Sequence, residues 1–153
     1  MALVISRFNE DVTAELAAGG RGALLAAGVV AEDIDEYWVP GAFELAPACR
    51  QVLTRGPDVD AVVALGAVIR GETPHFAFIS QAAAQALQTL ATEIDIPLIF
   101  GLLTTETREQ AVERAGRDRG DKGGEAALAA LAQATLYDEL RGRQSAVRGF
   151  RAR

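Results

Sequence analysis

The chain has 153 residues, half of them hydrophobic, with one cysteine, one histidine and a net charge of −6. That length and apolar share suit a single domain with an ordinary core, while one cysteine and one histidine exclude an internal disulfide and a cysteine- or histidine-rich metal site. The last thirteen residues, RGRQSAVRGFRAR, hold five arginines and no acid, so the −6 of the whole leaves −11 on residues 1–140, a body that repels polyanions and speaks against nucleic acid as a partner.

No apolar run reaches the length of a membrane helix, and MALVISRFNE lacks the organisation of a signal peptide. The expectation is a soluble, cytoplasmic protein without a membrane partner. ALVIS (2–6) reads as the first strand. Val12, Leu16, Gly20, Ala23, Leu24 and Ala27 then recur on one helical face, and Gly28 suits the left-handed residue that ends such a helix. DEYWV (35–39) is the second strand. Leu45, Ala48, Cys49, Val52 and Leu53 form a further helical face, with Pro47 tolerable only in its first turn and Cys49 serving as packing.

VDAVVALGAVI (59–69) is a third strand, continuous enough to be buried on both faces. After RGETPHF, the apolar residues Phe76, Ile79, Ala83, Ala86, Leu87, Leu90 and Ile94 mark a long amphipathic helix. IPLIFGLL (96–103) is the fourth strand. Thr105 is expected to cap a short helix with Glu106 and Glu109 in its first turn and an end at Gly116; Asp121 is expected to cap a last helix reaching about Leu140. Residues 1–140 make the domain, and the arginine-rich 141–153 is expected to be a disordered tail.

Strand and helix in alternation imply βαβ units, hence a parallel sheet with helices on both faces. Ligands of such sheets bind outside the carboxyl ends of the strands, which singles out Arg7 to Asn9, Pro40 to Glu44, Arg70 to His75 and Phe100 to Thr105. His75 opens a helix there, where the dipole disfavours imidazolium and keeps the ring able to take a proton; the competing reading is a histidine that only caps or packs. Gly71, Glu72 and Thr73 precede that helix, so backbone N–H groups and a hydroxyl are available to an oxyanion. Glu72 cuts against a simple phosphate cradle, and a turn plus a cap would explain the same residues.

No nucleotide fingerprint occurs, neither GxxxxGK[ST] nor GxGxxG. Arg114 and Lys122 flank the turn AGRDRGDKGG and together suit a phosphate, whereas Arg117 and Arg119 read as solvated charges. Phe8, Phe43 and Phe100 are placed at three strand ends, either to stack on a planar heterocycle or as core.

Taken together, SRFNEDVT, WVPGAFELAPA, ALGAVIRGETPHF, IPLIFGLLTTETREQAVERAG and DKGGEAALAAL resemble, in order, the blocks of the 6,7-dimethyl-8-ribityllumazine synthases of riboflavin biosynthesis. The resemblance covers about residues 3–140. It implies a three-layer αβα sandwich with a flavodoxin-like, four-stranded parallel sheet. It also implies a transferase that condenses 5-amino-6-ribitylamino-2,4-pyrimidinedione with 3,4-dihydroxy-2-butanone 4-phosphate to the lumazine, phosphate and water. The resemblance implies that neither a metal nor an organic cofactor takes part.

Carried over motif by motif, the resemblance makes Phe8 a stacking platform for the pyrimidine and Asn9 a hydrogen-bonding neighbour. Gly41, Ala42, Phe43 and Glu44 would frame the ribityl chain, and Val68 and Ile69 would line the ring pocket. Glu72, Thr73 and Arg114 would stand at the phosphate end, with His75 as the proton carrier. The partners implied are two small-molecule substrates and further copies of the chain: a homo-oligomer built on pentamers, with Phe100, Arg114 and Lys122 supplied by the neighbouring subunit.

Three features depart from the family pattern. The N-terminal strand that usually joins a neighbour's sheet is missing, which leaves pentamer, pentamer pair and sixty-subunit shell open. Asp121 and Gly124 replace an asparagine and a bulkier residue. The arginine tail has no counterpart. Two other readings compete: a receptor or carrier that keeps a lumazine or flavin pocket, and a shell-forming structural protein whose tail gathers acidic cargo. The intact set Phe8, Glu44, Thr73, His75, Arg114 and Lys122 weighs against a carrier, which needs no phosphate end.

Overall fold

Four strands, all parallel, lie in the order β2-β1-β3-β4 in a computed structural model that describes residues 1–56, 58–116 and 118–150, with side chains through residue 142. The elements are β1 (Ala2–Ser6), α1 (Glu10–Ala26), β2 (Asp35–Val39), α2 (Leu45–Arg55), β3 (Val62–Ile69), α3 (His75–Glu93), β4 (Leu98–Thr105), α4 (Arg108–Ala115) and α5 (Lys122–Phe150). Chain order and sheet order diverge at β1, which pairs with β2 on one side and β3 on the other. The crevice outside the carboxyl ends of β1 and β3 is therefore the switch point where such sheets hold ligands.

Two buried clusters make the three layers. Leu3, Ile5, Val63 and Leu65 pack with Leu16 and Leu24 of α1, Ala111 of α4 and Ala127 and Ala130 of α5. On the other face, Val4, Val62, Ala64 and Leu102 pack with Leu45, Cys49 and Val52 of α2 and Leu87 and Leu90 of α3. Alternate residues of one strand thus enter opposite cores, and this is why β1 and β3 read as unbroken apolar runs.

Local chemistry sets most boundaries. Gly28 takes φ 95°, the left-handed turn expected after α1, and Pro47 falls in the first turn of α2, where its missing N–H costs nothing. Asp121 accepts from the Gly124 N–H at 3.0 Å, capping α5. Where α5 crosses α1, a Cβ on Gly123 would run into the Leu16 carbonyl, so only glycine permits this approach.

Several expectations are corrected. β3 begins at Val62 rather than 59, and β4 spans Leu98–Thr105 rather than 96–103; Ile69 still faces Thr105 across the ladder. Thr105 is therefore strand, and the cap of α4 is Thr107, whose hydroxyl accepts from the Gln110 N–H at 3.3 Å. Glu106 lies before the helix, and Glu109 alone is acidic in the first turn. Phe100 sits inside β4, not at its exit. The last helix runs through Phe150 rather than stopping near Leu140. Residues 151–153 of the arginine-rich segment, and Arg117, lie outside the described residues.

Candidate active site

β1 does not end abruptly at Ser6. The Arg7 N–H donates to the Val39 carbonyl at 2.8 Å and the Phe8 N–H to the Pro40 carbonyl at 3.1 Å, so the pairing with β2 persists and brings Phe8 beside the segment 40–44. Arg7 lies over the Trp38 ring, 5.2 Å from its centroid, and pairs with Glu10 at 3.1 Å. Asn9 then takes the left-handed conformation (φ 60°, ψ 48°) at the start of α1, which asparagine tolerates better than most residues. Its amide does not cap that helix. Instead Nδ2 donates to the Ala67 carbonyl at 3.0 Å, tying the exit of β1 to β3.

A cavity of about 410 Å³ opens over this junction. Phe8, Gly41, Ala42, Phe43 and Glu44 form one side; Ala67, Val68, Ile69, Gly71, Thr73, His75, Phe76 and Ile79 form the other. Phe8 and Phe43 are 69% and 59% exposed, so both rings are rim, available to a flat ligand, rather than core. Gly41 has an extended backbone, and a Cβ there would stand 3.0 Å from Glu44 Oε2, so any larger residue would displace that carboxylate. His75 is the first residue of α3, after Pro74 at the N-cap, and it is exposed. The first N–H groups of a helix have no intrahelical acceptor, so an anionic group at Thr73 to Phe76 would find donors and a favourable dipole.

Of the site residues read from the sequence, Phe8, Gly41, Ala42, Phe43, Glu44, Val68, Ile69, Thr73 and His75 are brought together around this one cavity. Asn9 is adjacent through Ala67 but does not line it, and Glu72 is exposed to solvent outside it. Three residues stand elsewhere in the chain. Phe100 borders a separate hollow with Ala84, Leu87 and Gln88; the Arg114 guanidinium donates to the Gln110 carbonyl on α4 at 3.2 Å; Lys122 pairs with Glu125 on α5 at 2.6 Å.

Ala67, Gly71, Phe76 and Ile79 also line the cavity, beyond the residues that the motifs single out. The periodicity of α3 puts Phe76 and Ile79 on its core face, yet Ile79 follows His75 by four residues, a spacing that places it on the histidine's side of the helix. Among the described residues no cluster of histidine, cysteine and carboxylate side chains could hold a metal. No described helix is long and apolar enough to cross a membrane. The Cys49 thiol, buried between sheet and α2, is pushed up to about 12 by desolvation, so it is packing and not a nucleophile.

The cavity therefore combines aromatic rims, a carboxylate, and a histidine with free helix-start donors, without a lysine or arginine among its lining residues. Residues 1–138 match the family model of 6,7-dimethyl-8-ribityllumazine synthase. A curated relative, the 6,7-dimethyl-8-ribityllumazine synthase of Gemmatimonas aurantiaca, is 49% identical over 138 residues, which cover 90% of this chain and 84% of the relative. With the α/β sheet, the switch-point cavity and a match across nearly the whole described length, the chain belongs to the 6,7-dimethyl-8-ribityllumazine synthase family, transferases of riboflavin biosynthesis.

Proposed function

We propose that this cavity condenses 5-amino-6-ribitylamino-2,4-pyrimidinedione with 3,4-dihydroxy-2-butanone 4-phosphate, releasing phosphate and water as the lumazine forms. The observation that carries this reading is the convergence of Phe8, Glu44, Thr73 and His75 on one cavity at the β1/β3 switch point. The pyrimidine stacks at Phe8 with Val68 and Ile69 beneath it, and its ribityl hydroxyls run along Gly41 to Glu44, where the carboxylate accepts. Asn9 holds the floor through Ala67.

His75 stands where the substrate amine meets the ketone, and it carries protons during Schiff-base formation and loss of phosphate. Thr73 and the first N–H groups of α3 receive the phosphate end, where Glu72 can contribute its backbone N–H but not its carboxylate. Little activation is required of the protein: the amine is a nucleophile already and phosphate is a good leaving group. Holding two substrates in register supplies much of the acceleration.

The phosphate needs a cation that the cavity's own lining lacks. Arg114 supplies it from an adjacent copy of the chain, accompanied by Phe100 and Lys122, in a homo-oligomer built on pentamers whose sites lie between subunits. Support comes from the placement of all three away from the cavity in their own chain. Reaction takes place in the cytoplasm, and residues 1–140 form the catalytic domain.

Mixing purified protein with both substrates and following lumazine absorbance against the uncatalysed background tests the reading. A saturable rate that Arg114→Ala abolishes is the expected result. No rate above background, with the pyrimidine still bound, would instead favour a receptor.

A further inference from the structure

Arg70 has no part in the site so far described, yet it occupies the joint between the two strands that lead to His75 and to α4. Its N–H donates to the Thr105 carbonyl at 2.9 Å, one step beyond the last ladder pair, Ile69 with Thr105. The side chain reaches two groups at once: Nε lies 2.5 Å from Glu106 Oε2, and the guanidinium carbon stands 4.5 Å from the centroid of the Phe76 ring. Phe76 lines the cavity and is bonded directly to His75. Glu106 is itself held, since its N–H donates to Gln110 Oε1 at 3.0 Å.

Apart from the helix's own first turn, where the Pro74 carbonyl accepts from Ala77 and Phe78 and the Phe76 carbonyl from the Ser80 hydroxyl, little ties the histidine to its surroundings. Residues 71–75 are all exposed, a Cβ on Gly71 would meet nothing within 4 Å, and among the described residues no side-chain hydrogen bond from Glu72, Thr73 or His75 anchors the segment. We infer that Arg70 is a positioning residue for the site: clamped between Phe76 and Glu106, its guanidinium fixes where the first turn of α3, and with it His75, stands over the cavity. The inference rests on the proton-carrier reading of His75. A planar guanidinium lies flat on a ring face while donating in its own plane to a carboxylate, whereas an ammonium is a compact point charge on a flexible stem and fixes neither partner's orientation as well. The pair is 48% and 60% exposed, where ion pairs add little to stability, so its effect belongs to geometry, to which catalysis is far more sensitive.

A double-mutant cycle in kcat separates the possibilities. Arg70→Ala is expected to lower kcat about fivefold to twentyfold, with the KM for the butanone phosphate and the thermal midpoint almost unchanged. Arg70→Lys recovers little of the loss, and Glu106→Gln produces a smaller loss of the same kind. In a His75→Ala background Arg70→Ala should cost almost nothing further, because the group it positions is gone.

Equal losses in both backgrounds would overturn the inference alone, as would an effect confined to the KM for the butanone phosphate, which would make Arg70 a phosphate contact. A His75→Ala enzyme as fast as the parent would overturn the proton-carrier reading and the inference with it.

Discussion

Asn9 and Ala67 are 58 residues apart in the chain and joined by one hydrogen bond, Nδ2 to carbonyl oxygen at 3.0 Å. The bond crosses the line where β1 gives way to α1 and β3 approaches its end, so it sets the distance between the Phe8 wall and the Val68–Ile69 wall. Asparagine satisfies two demands at that point: it accepts a left-handed backbone, and it offers a donor.

Asn9→Asp separates those demands. Aspartate keeps the backbone tolerance but places a carboxylate oxygen against a carbonyl, so the loss should reach about 1–3 kcal/mol of stability. Asn9→Gly retains the conformation and merely removes the bond, and should cost less. Urea unfolding of both variants checks this; an aspartate variant no worse than the glycine one would mean that the bond is not the constraint. The aspartate variant should also show a raised KM for the pyrimidine.

For His75→Ala the expected fall in kcat/KM is on the order of tenfold to a hundredfold, at the low end of what general acid–base groups contribute. Substrate saturation curves at several pH values measure it. A fall beyond about ten-thousandfold would mean that chemistry at the imidazole, rather than alignment of two substrates, dominates the rate.

Much of this site is legible because βα order alone sends attention to the strand exits, and β1 and β2 have bounds that the residues declare: ALVIS and DEYWV are followed by polar or proline-containing segments. β4 misleads because Thr105 looks like the cap of a helix, whereas the backbones of Thr104 and Thr105 complete the ladder with Val68 and Ile69, and Thr107 caps instead. Phe100 lies within the strand on either set of bounds, 96–103 or 98–105, and so never marks an exit. The Arg70–Glu106 pair depends on the same register, which no local pattern encodes. The continuation of α5 past Leu140 is hidden because Arg141-Gly142 breaks the apolar periodicity without breaking the backbone.

Helix packing provides a contrast between two glycines. Gly123→Ala would drive a methyl into the Leu16 carbonyl where α5 meets α1, and backbone against backbone leaves nothing flexible to yield. The loss should be about 1–3 kcal/mol or more. Gly22 lies within α1, and a Cβ there would have no neighbour within 4 Å, so Gly22→Ala should stabilise by roughly 0.5–1 kcal/mol through helix propensity. Thermal melts of the two variants should therefore move in opposite directions.

Cys49 gives a pH dependence with a definite sign. Desolvation raises its pKa in the folded protein to about 12, so the unfolded chain ionises first. Its contribution is complete below the unfolded thiol's pKa, roughly 8.5, and declines from there towards pH 12 by at most about 1.4 kcal/mol per unit. Denaturant midpoints across that window should fall less steeply in Cys49→Ala. At pH 8 the native thiol should resist a disulfide reagent and react fully once urea unfolds the chain.

Sites shared between copies make a prediction that no single-chain site can imitate. If His75 acts from one subunit and Arg114 from its neighbour, then His75→Ala and Arg114→Ala disable different halves of each site. Each variant alone assembles only defective sites. When the two are unfolded, mixed in equal amounts and refolded together, random neighbours pair an intact His75 with an intact Arg114 in about a quarter of the heterologous interfaces. The mixture should then recover roughly that fraction of parental activity, whereas the two proteins mixed without unfolding should not, provided subunits exchange slowly. Activity that stays at the level of the separate variants after co-refolding would place both residues in one chain's site, and the Arg114 guanidinium would then have to leave the Gln110 carbonyl to reach a cavity that it does not line.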